Sequence, residues 1–196
     1  MSRFIDCTMP EGRSNTWRST MSIGLLLLAG CAAPVRQPVE LARHVDIARF
    51  MGDWYVIASI PTPFERGAHN AIENYRLAAD GSIATTFSFN ADGPQGERRT
   101  YRSVGYVLDP GTHAVWGQQY VWPIRADYRI SHVSPDYSQT VITRDKRDYV
   151  WIMARTPRIP AADLERLKAF VARQGYDPQR LREVPQHGAD TAGPRD

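Results

Sequence analysis

The sequence predicts an all-β chain: an eight-stranded up-and-down antiparallel barrel with one C-terminal helix packed outside. Two patterns carry the prediction. Eight short segments are rich in β-branched and aromatic residues and are joined by turn-prone links. A single amphipathic stretch follows the last of them. Closure also answers a physical problem, because a sheet that is apolar on both faces exposes two edges able to pair with other chains. An eight-stranded barrel is wide enough to be filled by side chains or to hold one small ligand.

The elements read in order as follows. Trp54 to Ile60 begins just after Gly52. Asn74 to Leu77 leads into Asp80-Gly81, and Ile83 to Phe89 follows, which is a hairpin signal. Arg99 to Leu108 ends at the turn Asp109-Pro110-Gly111. Val115 to Trp122, Tyr128 to Val133, Gln139 to Thr143 and Tyr149 to Ala154 complete the set. The helix opens near Pro160, whose missing N–H matters little in a first turn. Asp163 and Glu165 lie early in it and Lys168 and Arg173 late, the order that suits the helix dipole. Gly175 is the expected stop. Leu164, Leu167, Phe170 and Val171 share a face that needs a partner, and the outer wall of the barrel is available. Tyr149 to Ala154 is apolar on both faces, as a strand between barrel interior and helix must be.

The ends differ from the body. Ile23 to Ala29 is an apolar run ending at Gly30-Cys31, with Arg13 and Arg18 upstream as the positive region of a secretory segment. The run is too short to cross a bilayer of ~30 Å as a helix. Residues 1–31 are therefore expected to be a signal segment, 32–44 a Pro-containing tether, 45–186 the barrel with its helix, and 187–196 a polar disordered tail. The formal charge of the 196 residues is only +3, with no long run of Lys or Arg, so a nucleic-acid partner is not expected.

Three motifs in order then resemble the lipocalin family, and more closely its bacterial outer-membrane lipoprotein branch. They are Gly52-Asp53-Trp54-Tyr55 at the first strand, Asp127-Tyr128 at the sixth and Arg155 after the eighth. Phe64-Glu65-Arg66-Gly67 and Arg147-Asp148-Tyr149-Val150-Trp151-Ile152 resemble the bacterial branch further. The resemblance implies that Arg155 lies across Trp54 at the closed end, a contact worth ~0.5–2 kcal/mol. Gly52, Trp54, Asp127, Tyr128 and Arg155 are thus expected to build the fold rather than perform chemistry. Leu28-Ala29-Gly30-Cys31 resembles a lipobox, which implies cleavage before Cys31 and lipid, palmitate included, on that residue. Ala32 is not the Asp that often signals inner-membrane retention in such lipoproteins, so the resemblance implies an outer-membrane location facing the periplasm. Departures from the family are Ala126, Val56 where relatives often carry Glu, and the absence of cysteine after Cys31. If Val56 faces inward, the cavity loses a charge.

Strand alternation collects an aromatic interior. Trp116, Gln118, Tyr120 and Trp122 share one face of the fifth strand; Tyr128, Ile130 and His132 share one face of the sixth. Phe87 and Phe89 share a face of the third, and Trp151 lies with Tyr149 and Met153 on the inner face of the eighth. The resemblance turns Tyr75 toward the cavity. The expected ligand contacts are Tyr75, Phe87, Phe89, Trp116, Gln118, Tyr120, Trp122, Tyr128, Ile130 and Trp151. An aromatic chamber with few polar groups suits a small hydrophobic ligand, and the resemblance favours a fatty acid or lysophospholipid. Pro61 to Asn70 is the expected loop over the mouth.

Catalysis is not expected. None of the five histidines pairs at metal-ligand spacing, and no phosphate- or nucleotide-binding fingerprint is present, so neither metal nor cofactor is called for. Ser131, His132 and Asp136 are close in sequence, but neighbours on a strand point to opposite faces. Glu65 and Glu73 near the mouth read as solvated surface. A lipocalin-type enzyme acting on a bound lipophile and a ligand-free structural lipoprotein remain as alternatives, and the sequence leaves a homodimer open.

Overall fold

A computed structural model describes residues 37–187. Cys31, the signal segment and all but the first residue of the expected tail lie outside the described residues. Residues 37–44, expected to be tether, are packed: Val39 and Ala42 are buried, and the Ala42 N–H donates to the Ile130 carbonyl at 2.9 Å.

The strands are β1 (Gly52–Ile60), β2 (Ala68–Leu77), β3 (Ile83–Ala91), β4 (Arg98–Val107), β5 (Val115–Val121), β6 (Ile124–Val133), β7 (Gln139–Thr143) and β8 (Val150–Ala154). Each pairs antiparallel with the next, and β1 pairs with both β2 and β8, which closes the barrel. A short helix, α1 (Ile47–Phe50), precedes β1, and α2 (Ala161–Arg173) follows β8. Asp46 caps α1 by accepting from the Arg49 N–H at 3.1 Å. Pro160 is the N-cap of α2, and Gly175 supplies the positive φ of 85° just past its end.

The alternation in β3 is strict: Ile83, Thr85, Phe87, Phe89 and Ala91 face in. The inner faces form one core, with Phe50, Trp54, Tyr75, Trp116 and Met153 among its members. A second core forms outside the barrel, where Ile152 and Ala154 of β8 meet Leu167 and Val171 of α2. Burying each of those two helix residues contributes ~1.5–3 kcal/mol.

A ninth strand, β9 (Arg182–Glu183), was not expected. It pairs with Ala58 and Ser59 of β1, above the four residues through which β1 meets β2. The strap that follows fills the gap: the Asn70 N–H donates to the Pro185 carbonyl at 2.9 Å, and Gln186 Nε2 donates to the Val56 and Ala71 carbonyls at 2.8 and 3.2 Å. Two residues carry no readable period, so pattern analysis cannot find this strand. A second correction is local. A bulge in β6 between Ile130 and His132 shifts the alternation, so His132 sits against Phe170 of α2 with ring centroids 5.5 Å apart.

Candidate functional site: a plugged barrel with an apolar cavity

The closed end is sealed around Trp54. Its indole is fully buried and donates to the Phe50 carbonyl at 2.9 Å. The Arg155 guanidinium lies 3.8 Å from the indole centroid, as the family resemblance implied. Its remaining donors reach the Asp53, Arg49 and Met51 carbonyls at 2.7, 2.8 and 2.8 Å. One cation thus ties together backbone carbonyls of α1 and the start of β1 beside the plug. Gly52 suits its place by its backbone: its φ is +97°, which L side chains rarely adopt, whereas an added Cβ would meet Arg155 Nη1 only at an ordinary 3.4 Å. Asp127 works at the other end. It pairs with Arg129 at 2.9 Å and accepts the Asp145 N–H at 2.8 Å, fixing the β7–β8 loop.

Above the plug the barrel is hollow. A cavity of about 470 Å³ opens between the first loop and the β5–β6 hairpin, within the range of small-molecule sites. Phe87, Gln118, Tyr120, Tyr128 and Trp151, all expected as ligand contacts, line it. Tyr75, Phe89, Trp116 and Ile130 are buried in the same core but do not line the cavity. Tyr75 packs edge-on to Trp116, with centroids 5.8 Å apart, and its hydroxyl is hydrogen-bonded to that of Tyr128. Phe89 stacks on Tyr101. Trp122 is apart from all of these. It is 83% exposed, because β5 ends at Val121 and Trp122 lies in the two-residue turn to β6.

A larger groove of about 550 Å³ runs outside the barrel between the first loop and the C-terminal strap. Arg66, Arg180, Arg182 and Glu183 are among its walls, so an apolar molecule there would desolvate charges. The interior cavity is the better candidate.

The Lipocalin-like domain family profile matches residues 45–186. The chain belongs to the lipocalin family. It is 28% identical over 165 residues to the Outer membrane lipoprotein Blc of Citrobacter freundii, covering 83% of this chain and 92% of that protein. It is 26% identical over 160 residues to Temperature-induced lipocalin-1 of Arabidopsis thaliana, covering 77% and 84%. Among solved structures, apocrustacyanin C2 matches with a TM-score of 0.57 at 14% identity, over 80% of this chain and 94% of that one. Insecticyanin from the tobacco hornworm Manduca sexta matches with the same TM-score at 12% identity, over 77% and 84%. These structures share the barrel.

This lipocalin has a polar feature in its cavity that sequence reading assigned to the surface. Glu73 is 7% exposed and lines the cavity. Loss of water pushes its pKa from 4.5 to about 8; a hydrogen bond with Tyr75 opposes the rise, and the nearby Glu65 carboxylate adds to it. The interior, which Val56 leaves without a carboxyl on β1, thus carries one on β2. The signal was present: Glu73 is two residues from Tyr75, so any register that turns Tyr75 inward turns Glu73 inward as well. Glu65 is also drawn in. It ends the 3-10 turn Pro63–Glu65, accepts from Trp151 Nε1 at 3.0 Å and from the Thr62 N–H at 3.2 Å, and burial raises its pKa. The first loop is therefore pinned to the cavity wall. Arg144 supplies the cation on the lining; its guanidinium lies 5.4 Å from the Tyr149 ring centroid, and its buried Nε is paired with an Asp148 oxygen at 3.4 Å without hydrogen-bond geometry.

Proposed function

We propose that the protein is an outer-membrane lipoprotein, anchored through lipid on Cys31 and facing the periplasm, that holds a small hydrophobic ligand in its barrel and catalyses nothing. The observation that carries this reading is the cavity itself: hollow, walled largely by aromatic rings and sealed below by Trp54 and Arg155. Relatives of similar length named outer membrane lipoproteins support the location. A fatty acid or lysophospholipid is the proposed ligand class. Its chain would occupy the aromatic chamber, and its anionic head would meet Arg144 at the wall.

Trp151 gives a direct test, because it lines the cavity. Fatty acids and lysophospholipids at micromolar levels should change its emission, and Trp151→Phe should abolish the change. Arg144→Gln should weaken anionic ligands more than an uncharged alcohol of equal chain length. No response from the wild-type protein to either lipid class would refute the reading. One observation favours a catalytic role instead. Glu73 keeps its proton at neutral pH beside an apolar chamber, which is how a general acid is prepared. Chemical conversion of a bound lipophile, lost in Glu73→Gln, would establish that role.

A further inference from the structure

The open end of the barrel carries large apolar side chains that are mostly exposed; of these, Phe64 touches the Tyr101 ring, with centroids 6.4 Å apart. Val121, Trp122 and Ile124, at the β5–β6 tip, are 68%, 83% and 70% exposed, and Phe64 of the first loop is 70% exposed. Single exposed apolar residues are common, but a contiguous set at the mouth of a cavity marks a contact surface. Tyr120 and Val121 belong both to the rim and to the cavity lining, so the apolar surface runs from outside to inside without a break.

The charges around this rim are sorted. Arg66 on the first loop and Lys146 on the β7–β8 loop are exposed; Arg125 in β6 is exposed too, but its guanidinium lies on the Tyr106 ring, 4.0 Å from the centroid. The acids of the same segments are turned in or tied. Glu65 holds Trp151, Asp127 holds Arg129, and Asp145 holds Arg129 and the Val39 N–H. The β3–β4 connection presents both signs, through Asp92, Glu97 and Arg98 at the start of β4, and so does the C-terminal strap, through Arg182 and Glu183. An apolar tip flanked by the exposed cations Arg66 and Lys146 is complementary to one kind of surface, a bilayer bearing anionic head groups.

The course of the chain agrees. The first described residue, Gln37, is held at this same end, where its carbonyl accepts from Arg147 Nη2 at 2.6 Å. Cys31 is six residues earlier in sequence, a reach of at most ~20 Å. A lipid on Cys31 would keep the mouth, rather than the plugged end, next to the membrane.

We propose that the open end of the barrel is a membrane-contact face, with Val121, Trp122 and Ile124 seated in an anionic phospholipid surface and the cavity mouth opening onto it. Ligand would then pass between bilayer and barrel without crossing water. The orientation rests on the proposed anchor at Cys31; the rim does not.

The test uses the full chain purified from membranes and reconstituted into phosphatidylethanolamine–phosphatidylglycerol vesicles whose acyl chains are brominated near the head group. Trp17, which precedes Cys31, is replaced by Phe throughout, and Trp54 and Trp116 are fully buried and shielded from bromine, so quenching reports Trp122 and, through the cavity, Trp151. The expected result is quenching in the wild type, most of it lost in Trp122→Phe, which keeps an aromatic rim. The acyl mass on Cys31 is read from the same sample. An acylated protein that stays on the vesicles unquenched leaves the anchor standing and overturns the membrane-contact face. Equal quenching in Trp122→Phe and wild type means that lipid meets only Trp151, and also overturns it. Concentration-dependent shielding of Trp122 in detergent, without bromine quenching, assigns the rim to a second copy of this chain instead. A protein that carries no acyl group and is still quenched through Trp122 keeps the rim and removes the anchor.

Discussion

Replacing Glu73 by Gln removes the carboxyl that the inner wall of β2 holds almost wholly out of water. The folded protein titrates it at about 8, against 4.5 for the free side chain. Between those values the unfolded chain has released the proton and the folded chain has kept it. The unfolded state then binds fewer protons, so stability falls as pH rises through the window and levels off above about 8. At ~1.4 kcal/mol per pH unit the whole window amounts to about 5 kcal/mol. Water entering the open cavity lessens this, so a gain of roughly 2–4 kcal/mol is expected for Glu73→Gln on the alkaline side. Below 4.5 both side chains are neutral, and the two proteins should differ by no more than one hydrogen bond, ~1 kcal/mol. Urea unfolding followed by circular dichroism, on both proteins across the window, gives the difference directly, and the other carboxylates cancel. Two parallel stability curves would refute the reasoning, because Glu73 would then titrate alike in both states. Glu65→Gln should lower the Glu73 midpoint, since the neighbouring charge is one of its causes.

Three further outcomes are expected. Trp54→Ala should destabilise the barrel by ~3–5 kcal/mol, as for a large buried aromatic, and a loss under ~1 kcal/mol would mean that the plug is not where the stability resides. Gly52→Ala should cost about 1–3 kcal/mol through its positive φ, measured by the shift in urea midpoint, with Gly→Ala at an ordinary φ in the same strand as the contrast. Cys31→Ser should release the protein from membranes, and a variant that still fractionates with the outer membrane would exclude the lipid anchor.

Much of the fold was legible because its signals are local and repeated. Gly52 and Trp54 are far from Arg155 in sequence, yet each of the three has a fixed chemical reason for its place: a positive φ, a buried indole and a cation that stacks on it. Gln139–Thr143 is bounded as read, since turns flank it on both sides. The misses have physical causes. The β9 pairing is a tertiary event between two residues and the upper half of β1. His132 left its face because one bulged residue reverses every side chain beyond it. Trp122 was counted inward by extending a strand one residue into a turn. Glu73 was missed for a different reason. A carboxylate is read as surface by default, and only the register it shares with Tyr75 argues otherwise. The aromatic contents of the interior were readable, but their division into plug and cavity wall was not. Tyr75 and Trp116 fill while Phe87 and Trp151 line, and that depends on height along the barrel axis, which alternation does not encode.

Native mass spectrometry of the protein released gently from outer membranes reads the occupancy of the cavity. An added mass of one fatty acid or lysophospholipid per protein is expected, displaced by a competing lipid and reduced when Phe87 is replaced by a bulkier Trp that fills the chamber. A spectrum showing only the acylated chain, unchanged after incubation with either lipid class, would contradict it.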